Sequence, residues 1–396
     1  MSGSPSAVPS KPSLRPVSPN FSCGPATKHP GWSIDRLKSA LVGRSHRSKE
    51  GKERLKRVVD ESKALLGLPP DYLLGIISAS DTGAIEAVLW SALGPRPVDV
   101  FAWESFGKDW VTDCVKQLKP LEARSFVADF GQIPDLTQAD PDHDIVFTWN
   151  GTSSGVMVPN ADWIKDDRKG LTICDATSAV FAMPLPWNKL DVVTYSWQKV
   201  LGGEAQHGIL ILSPRAVERL ESHKPSWPVP KIFRMTKDGK LNRAIFEGET
   251  INTPSMLCVE DALEAMEWAR SIGGLKGLCD RTQANFKVLQ DWVARTPWIA
   301  FLPDDPAICS PTSVCMKLAD PSLVRLSKDE QNAFCKKLTG LLEKEWVGYD
   351  INAYRDAPPG LRIWCGGSAE ASDIATLTQW IDWAYAVCRT ELKAAA

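Results

Sequence analysis

Residues 73–93 read LLGIISASDTGAIEAVLWSAL, and this stretch decides the predicted fold. Its first part, 73–79, is mostly apolar, as expected for a strand that is buried on both faces of a sheet. After a short polar segment come good helix formers, with apolar side chains at Ile85, Val88 and Leu89. A strand that leads into a helix in this way is the repeating unit of α/β folds.

The same strand pattern recurs as far as residue 212. Short apolar runs, separated by polar or helical stretches, lie at 98–102, 144–149, 171–174, 191–196 and 208–212. Val, Ile and Leu occupy successive positions in them, which is typical of strands in parallel sheets. We therefore predict an α/β fold with a mostly parallel sheet flanked by helices.

The pattern changes after about residue 255. Val259, Leu263 and Met266 have the spacing of one helical face, and strand-like runs follow at 313–319 and 361–365. These features predict a smaller α+β unit.

We expect two domains and a tail. The large α/β domain is predicted over 20–267 and the small C-terminal domain over 268–396, and residues near 20–32 could pack on the small domain. Residues 1–19 are rich in Ser and Pro, so they cannot bury enough apolar area to offset their ordering entropy. We predict that they form a disordered tail.

Composition excludes several functional classes. The chain has 396 residues, 43% of them hydrophobic, and a formal net charge of −2. The balanced charge argues against nucleic-acid binding, and no apolar run approaches the ~20 residues of a membrane span. The ten cysteines are scattered without a Cys-x-x-Cys pair, so we expect reduced thiols in a cytoplasmic protein and no metal site.

Polar side chains follow the predicted strands. In chain order they are Ser80, Asp81 and Thr82, then Thr152, then Asp175, then Gln198 and Lys199. Ligands of open α/β sheets bind beyond the carboxyl ends of the strands. Simpler explanations also exist: Ser80 and Asp81 as a helix cap, Asp175 as another cap, and Lys199 as a solvated side chain.

Together these residue types match the chemistry of pyridoxal phosphate. That cofactor needs a lysine for its covalent imine bond, a carboxylate at the pyridine nitrogen, and amide and hydroxyl donors for its phosphate. Lys199 lies between bulky apolar residues and a glycine pair, a setting that depresses the pKa of an amine. The order of these groups is that of the fold-type I aminotransferases.

Several separated motifs carry a closer resemblance. They are PNFSCGPATKHP at 19–30, SHRSK at 45–49, YSWQK at 195–199, ETINTP at 249–254 and GLR at 360–362. In this order they resemble the phosphoserine aminotransferases, a family of class V within fold type I, over essentially the whole chain after the tail.

The resemblance implies roles at the cofactor ring. Lys199 would bind the cofactor covalently and then move a proton as general acid and base. Asp175 would pair with the pyridine nitrogen, and Thr152 would hydrogen-bond the ring hydroxyl. Phe106 takes the position of the tryptophan that many relatives place over the ring.

The resemblance also implies a phosphate site. Asp81 and Thr82 would offer backbone amides and a hydroxyl, with Gln198 beside them, and Asn252 and Thr253 would reach the phosphate from the partner subunit of a homodimer. The loop here reads SASDTG, whereas some relatives are Gly-rich, so the acidic side chain of Asp81 should point away from the anion.

The resemblance also implies which residues bind the substrate. Arg362 would take the α-carboxylate, and His46 and Arg47 would bind the substrate phosphate across the dimer interface. A second phosphate-binding histidine of some relatives has no match, and nearby Arg355 is its candidate substitute. Without the resemblance, His46 and Arg47 would simply be a solvated basic loop.

The expected reaction is reversible transamination of 3-phosphohydroxypyruvate with glutamate, which gives O-phosphoserine and 2-oxoglutarate in serine biosynthesis. Some members also act on the phosphorylated hydroxythreonine intermediate of vitamin B6 synthesis, and nothing in the sequence decides that point.

Two alternatives keep the fold. One is another class V enzyme, such as a serine-glyoxylate-type aminotransferase or a cysteine desulfurase-like lyase, for which Cys309 and Cys315 are the candidate thiols. Their setting before an apolar strand, without basic neighbours, favours inert thiols. The other is a non-catalytic scaffold, which the presence of both Asp175 and Lys199 disfavours.

Overall fold

The computed structural model describes residues 10–118 and 121–395. Its strands are β1 Leu73–Ser78, β2 Val98–Ala102, β3 Ala123–Val127, β4 Asp144–Thr148, β5 Asn150–Gly151, β6 Val156–Met157, β7 Thr172–Asp175, β8 Val192–Ser196, β9 His207–Leu212, β10 Thr236–Lys237, β11 Lys240–Leu241, β12 Ile299–Phe301, β13 Ser313–Leu318 and β14 Gly360–Trp364. Its α-helices are α1 Lys49–Leu66, α2 Ser80–Ala92, α3 Ser105–Thr112, α4 Pro214–Ser222, α5 Met256–Ser271, α6 Gly274–Arg295, α7 Pro321–Val324, α8 Lys328–Lys344 and α9 Ala371–Ala395.

The main sheet has seven strands in the order β1-β9-β8-β7-β4-β2-β3. Strand β9 is antiparallel to both of its neighbours, and the other neighbouring pairs are parallel. Only residues 197–206 separate β8 from β9, which is too short for the helical crossover that a parallel pair requires. The predicted α/β fold with a mostly parallel sheet is confirmed.

This topology places the functional segments at one edge. Strands β1, β4, β7 and β8 point the same way, so their carboxyl ends lie side by side. The loops that follow them carry the polar residues identified in the sequence.

The C-terminal part contains a smaller antiparallel sheet in the order β12-β13-β14. Helix α9 packs against α6 and α8 beside it. The predicted domain boundary between residues 267 and 268 stays a prediction, and α5 continues through it.

The N-terminal segment is held by α9. The backbone amides of Val17 and Ser18 donate to the carboxylate of Asp373, at 2.7 and 3.0 Å. The indole of Trp380 donates to the carbonyl of Leu14 at 2.6 Å. These contacts attach residues 14–18 to α9.

This arrangement differs from the disordered tail predicted over 1–19. From residue 10 onward, contacts with a distant helix offset the ordering entropy, and the composition of the segment does not reveal them. Residues 1–9 of the predicted tail lie outside the described residues.

Across residues 10–118 and 121–395, no helix combines the length and the apolar character that a membrane crossing requires.

Candidate active site

A cavity of about 540 Å³, part of it open to solvent, lies at the carboxyl edge of the main sheet. It is lined by Ser80, Asp81, Thr82, Phe106, Trp110, Thr148, Thr152, Asp175, Thr177, Gln198 and Lys199. Every cofactor residue predicted from the sequence is among them, except Asn252 and Thr253. Residues from five separate parts of the sequence therefore meet because parallel strands end at one edge.

Lys199 follows β8 and is buried, with 8% of its surface exposed. Its amine donates a hydrogen bond to the carbonyl of Cys23. Burial lowers the pKa of Lys199 to about 8, and the positive charge of Arg362 adds to this effect. A side chain at Gly24 would collide with the amine, so this glycine permits the N-terminal segment to approach the lysine closely.

Asp175 ends β7, where its side chain is fixed by two donors. The indole of Trp110 donates to one carboxylate oxygen at 3.2 Å, and the backbone amide of Thr177 donates to the other at 3.0 Å. The carboxylate is therefore buried and oriented before any ligand binds. The bond from Thr177 is a capping contact, as the simpler explanation expected, and the bond from Trp110 turns the other oxygen toward the cavity wall.

Helix α2 begins at the cavity without a side-chain cap. Its N-cap is Ala79, and Ser80 and Asp81 are already its first helical residues. Ala79 and Ser80 both have positive φ, at 66° and 53°, which bends the chain sharply between β1 and α2. The first N–H groups of a helix attract anions, so this uncapped N-terminus is a suitable phosphate site.

The carboxyl group of Asp81 lies beside Asp175 in the cavity wall. Burial, followed by the charge of Asp175, raises the pKa of Asp81 well above its ordinary value. The sequence required this side chain to point away from a bound anion. The raised pKa reduces that conflict in another way, because it disfavours the charged form of Asp81.

Several buried polar atoms of the cavity have no hydrogen-bond partner among the described residues: Asp81 Oδ1, Thr148 Oγ1, Thr177 Oγ1 and Gln198 Oε1. Each such atom costs roughly 1–3 kcal/mol if it stays unpaired. The cavity is therefore suited to a polar ligand. Its amine, its oriented carboxylate, its aromatic side chains and its uncapped helix fit pyridoxal phosphate.

Glu104, which the sequence analysis missed, is buried behind the cavity. One of its carboxylate oxygens accepts from the amide of Gly107 at 2.6 Å. The other accepts from the amide and hydroxyl of Ser153, at 3.3 and 2.8 Å. Burial outweighs these donors and raises the pKa of Glu104 to about 7. The residue ties the start of α3, which carries Phe106, to the loop that carries Thr152.

Because both oxygens of Glu104 face donors, we expect Glu104→Gln to destabilise the protein. At pH 8 the carboxylate is largely ionised, whereas the glutamine NH₂ would face an N–H or O–H donor. The expected loss is about 1–3 kcal/mol of unfolding free energy, measured by chemical denaturation. Glu330→Gln is the matched control, because that exposed carboxylate likewise accepts from the amide and hydroxyl of one serine, Ser327. Equal losses in the two variants would contradict this account.

The predicted substrate arginines lie near the cavity mouth. Arg362, on β14, donates to the carbonyl of Thr152 at 3.5 Å, and its Nε atom is buried with no partner among the described residues. Arg355 is exposed and lies 3.6 Å from the carboxylate of Asp356. Both guanidinium groups lie over the ring of Tyr354, at 5.3 and 5.4 Å from its centre.

The remaining predicted residues do not line the cavity of their own chain. Arg47 is exposed before α1, and partial burial together with Arg47 lowers the pKa of His46. Asn252 accepts from the hydroxyl of Ser78, next to the turn that leads into α2, and Thr253 is exposed. Their delivery by a partner subunit stays a prediction.

The two candidate desulfurase thiols are both buried. Burial raises the pKa of Cys309 to about 11 and that of Cys315 further still. Thiols of this kind are poor nucleophiles. Among the described residues, no group of three or more His, Cys, Asp or Glu side chains is arranged to hold a metal ion.

Comparison with known proteins shows close relatives over nearly the whole chain. The phosphoserine aminotransferases of Methanosarcina mazei and Methanosarcina barkeri are each 58% identical to it over 375 residues, covering 95% of this chain and 99% of each relative. No protein-family model matches the chain.

Solved structures share the fold. A phosphoserine aminotransferase from Cytophaga hutchinsonii has a TM-score of 0.77 at 22% identity and covers 92% of this chain and 98% of its own. A phosphoserine aminotransferase from Trichomonas vaginalis with bound pyridoxal phosphate has a TM-score of 0.74 at 16% identity, covering 92% and 99%.

Proposed function

Because this chain belongs to the phosphoserine aminotransferase family, we propose that it transfers an amino group reversibly between glutamate and 3-phosphohydroxypyruvate, giving 2-oxoglutarate and O-phosphoserine. The family makes it a pyridoxal-phosphate-dependent aminotransferase. The strongest structural support is the meeting of Lys199, Asp175 and the uncapped N-terminus of α2 in one cavity.

We assign the phosphate of pyridoxal phosphate to the start of α2. Asp81 and Thr82 would contribute backbone amides and Thr82 its hydroxyl, with Gln198 beside them. Asn252 and Thr253 of a partner subunit would complete this site. The unpartnered oxygen of Gln198 and the absence of a side-chain cap on α2 support the assignment.

We assign the cofactor ring to the space between Phe106, Thr152 and Asp175. When bound, pyridoxal phosphate withdraws electrons from the α-carbon of the substrate. Asp175 would hold a proton at the ring nitrogen, which strengthens that withdrawal. Lys199 would hold the cofactor covalently, and once released it would move the substrate proton from Cα to C4′.

The substrate has two anionic ends, and we assign a cation to each. Arg362 would bind the α-carboxylate through its planar fork, which its free Nε supports. His46 and Arg47 of a partner subunit, with Arg355, would bind the phosphate. The active unit is then a homodimer with shared sites.

We also infer that the protein works in the cytoplasm. All ten cysteines, which lie within the described residues, are free thiols. Free thiols of this number are expected in a reducing compartment.

The proposed function is tested by the visible spectrum of the purified protein. O-phosphoserine and glutamate, added separately, should convert the absorption band of the bound cofactor to that of its aminated form, and serine should not. Sulfur release from cysteine would favour the lyase alternative instead. No cofactor band, even after addition of pyridoxal phosphate, would overturn the enzyme assignment.

The lowered pKa of Lys199 predicts how the cofactor-free protein takes up pyridoxal phosphate. Only a neutral amine attacks the cofactor aldehyde, so the uptake rate should rise with pH and level off near pH 8. With a lysine analogue in solution, whose amine has a pKa of about 10.4, the reaction rate should keep rising well above pH 8. Stopped-flow absorbance measures both rates, and parallel pH profiles would contradict the prediction.

A further inference from the structure

Tyr354 contacts both predicted substrate arginines and one aromatic residue of the cavity lining. The guanidinium groups of Arg362 and Arg355 lie 5.3 and 5.4 Å from the centre of its ring. The ring of Phe106, which lines the cavity, lies 5.7 Å away at an angle of 50°. The sequence does not indicate a role for this tyrosine. Phe106 and Arg362 are not its neighbours in the chain, and the adjacent position of Arg355 does not by itself predict a contact.

The contacts of Arg362 with the rest of the protein are few. Its only side-chain hydrogen bond within the described residues is the long one to Thr152, at 3.5 Å, and its Nε atom is buried without a partner there. The negative face of an aromatic ring attracts a guanidinium group, and the ring of Tyr354 supplies that face. The ring therefore orients Arg362 while its donors stay available for a ligand.

Arg355 lies over the same ring, so both guanidinium groups are within 5.4 Å of its centre. Asp356 lies 3.6 Å from Arg355, and it also accepts from the hydroxyl of Ser105 at 3.4 Å, which anchors this loop to the start of α3. A site that presents two cations suits a ligand with two anionic groups, because each cation can then pair with an opposite charge.

We propose that Tyr354 is a specificity-determining positioning residue, which orients Arg362 and Arg355 for substrates that carry a second anionic group. The inference rests on the proposed function, because it assumes that these arginines bind the substrate. Tyr354 acts through the arginines and does not itself touch the reacting atoms.

The test compares Tyr354→Leu with Tyr354→Phe in the enzyme loaded with pyridoxal phosphate. Phenylalanine keeps the ring and its negative face, whereas leucine keeps apolar bulk without them. Losing a cation–ring attraction should change an equilibrium constant by roughly 5- to 30-fold. We expect Tyr354→Leu to raise the half-saturating concentration of O-phosphoserine by that factor and to leave the maximal rate of the half-reaction nearly unchanged. Tyr354→Phe should behave like the unchanged enzyme.

Two further measurements distinguish a role in specificity from a merely structural role. The preference for O-phosphoserine over serine should fall in Tyr354→Leu, while its affinity for pyridoxal phosphate, read from the visible band, should not change. An unaltered preference, a loss of cofactor binding, or equal defects in the two variants would overturn the inference. If the unchanged enzyme responded to no amino acid, the proposed function would fail instead, so the two failures are distinguishable.

Discussion

We expect Lys199→Ala to lower kcat by roughly 10²- to 10⁴-fold or more, because proton transfer by a positioned side chain alone contributes about that range. No other amine lines the cavity within the described residues, so none can replace it. Steady-state transamination of O-phosphoserine with 2-oxoglutarate measures the effect. Activity near that of the unchanged protein would remove Lys199 from the mechanism.

Two controls sharpen this experiment. Lys169→Ala removes an exposed lysine that pairs only with Asp142 at the surface, and it should leave kcat unchanged. A small primary amine added to Lys199→Ala should restore part of the activity, because it supplies the missing base. Rescue without any dependence on the basicity of the added amine would argue against proton transfer by Lys199.

The second large effect is expected at Asp175. An amide cannot hold a proton at the ring nitrogen, so Asp175→Asn should remove the charge pair there. Breaking a buried pair costs about 3–5 kcal/mol, which would correspond to roughly 10²- to 10⁴-fold in kcat. The geometry of Trp110 and Thr177 also changes, since one of them would face the amide NH₂.

Asp81→Asn is the matched comparison, because the carboxyl groups of Asp81 and Asp175 are neighbours in the wall of the cavity. Burial and the neighbouring Asp175 raise the pKa of Asp81, so the amide replaces a group whose charged form is disfavoured, and the backbone amide is retained. We expect a far smaller loss of kcat than at Asp175. Equal losses in the two variants would contradict this expectation.

Most of the fold could be predicted from the sequence because fully buried parallel strands are continuous apolar runs. Strand β3 was missed because it lies at the sheet edge, where none of the side chains of ARSFV is fully buried. The antiparallel direction of β9 was also missed, although the sequence shows that the connection from β8 is too short for the crossover of a parallel pair.

The candidate site was predictable where a residue directly follows a strand, as Asp175 and Lys199 do. Trp110 could have been found, because it lies one helical turn after Phe106 on α3. Tyr354 could not, since only the tertiary fold brings its loop to Phe106. In the sequence, Glu104 has the position of an ordinary helix cap. Its contact with Ser153 depends on a loop that is remote in the chain.

The docking of the N-terminal segment on α9 has a consequence for synthesis on the ribosome. Cys23, whose carbonyl meets Lys199, follows a stretch that Asp373 and Trp380 anchor, and α9 is translated long after that stretch. These two anchors therefore form only after α9 has been synthesised. A truncated product that ends before α9 would carry every residue of the cavity lining and still lack these two anchors of the segment that covers its lysine.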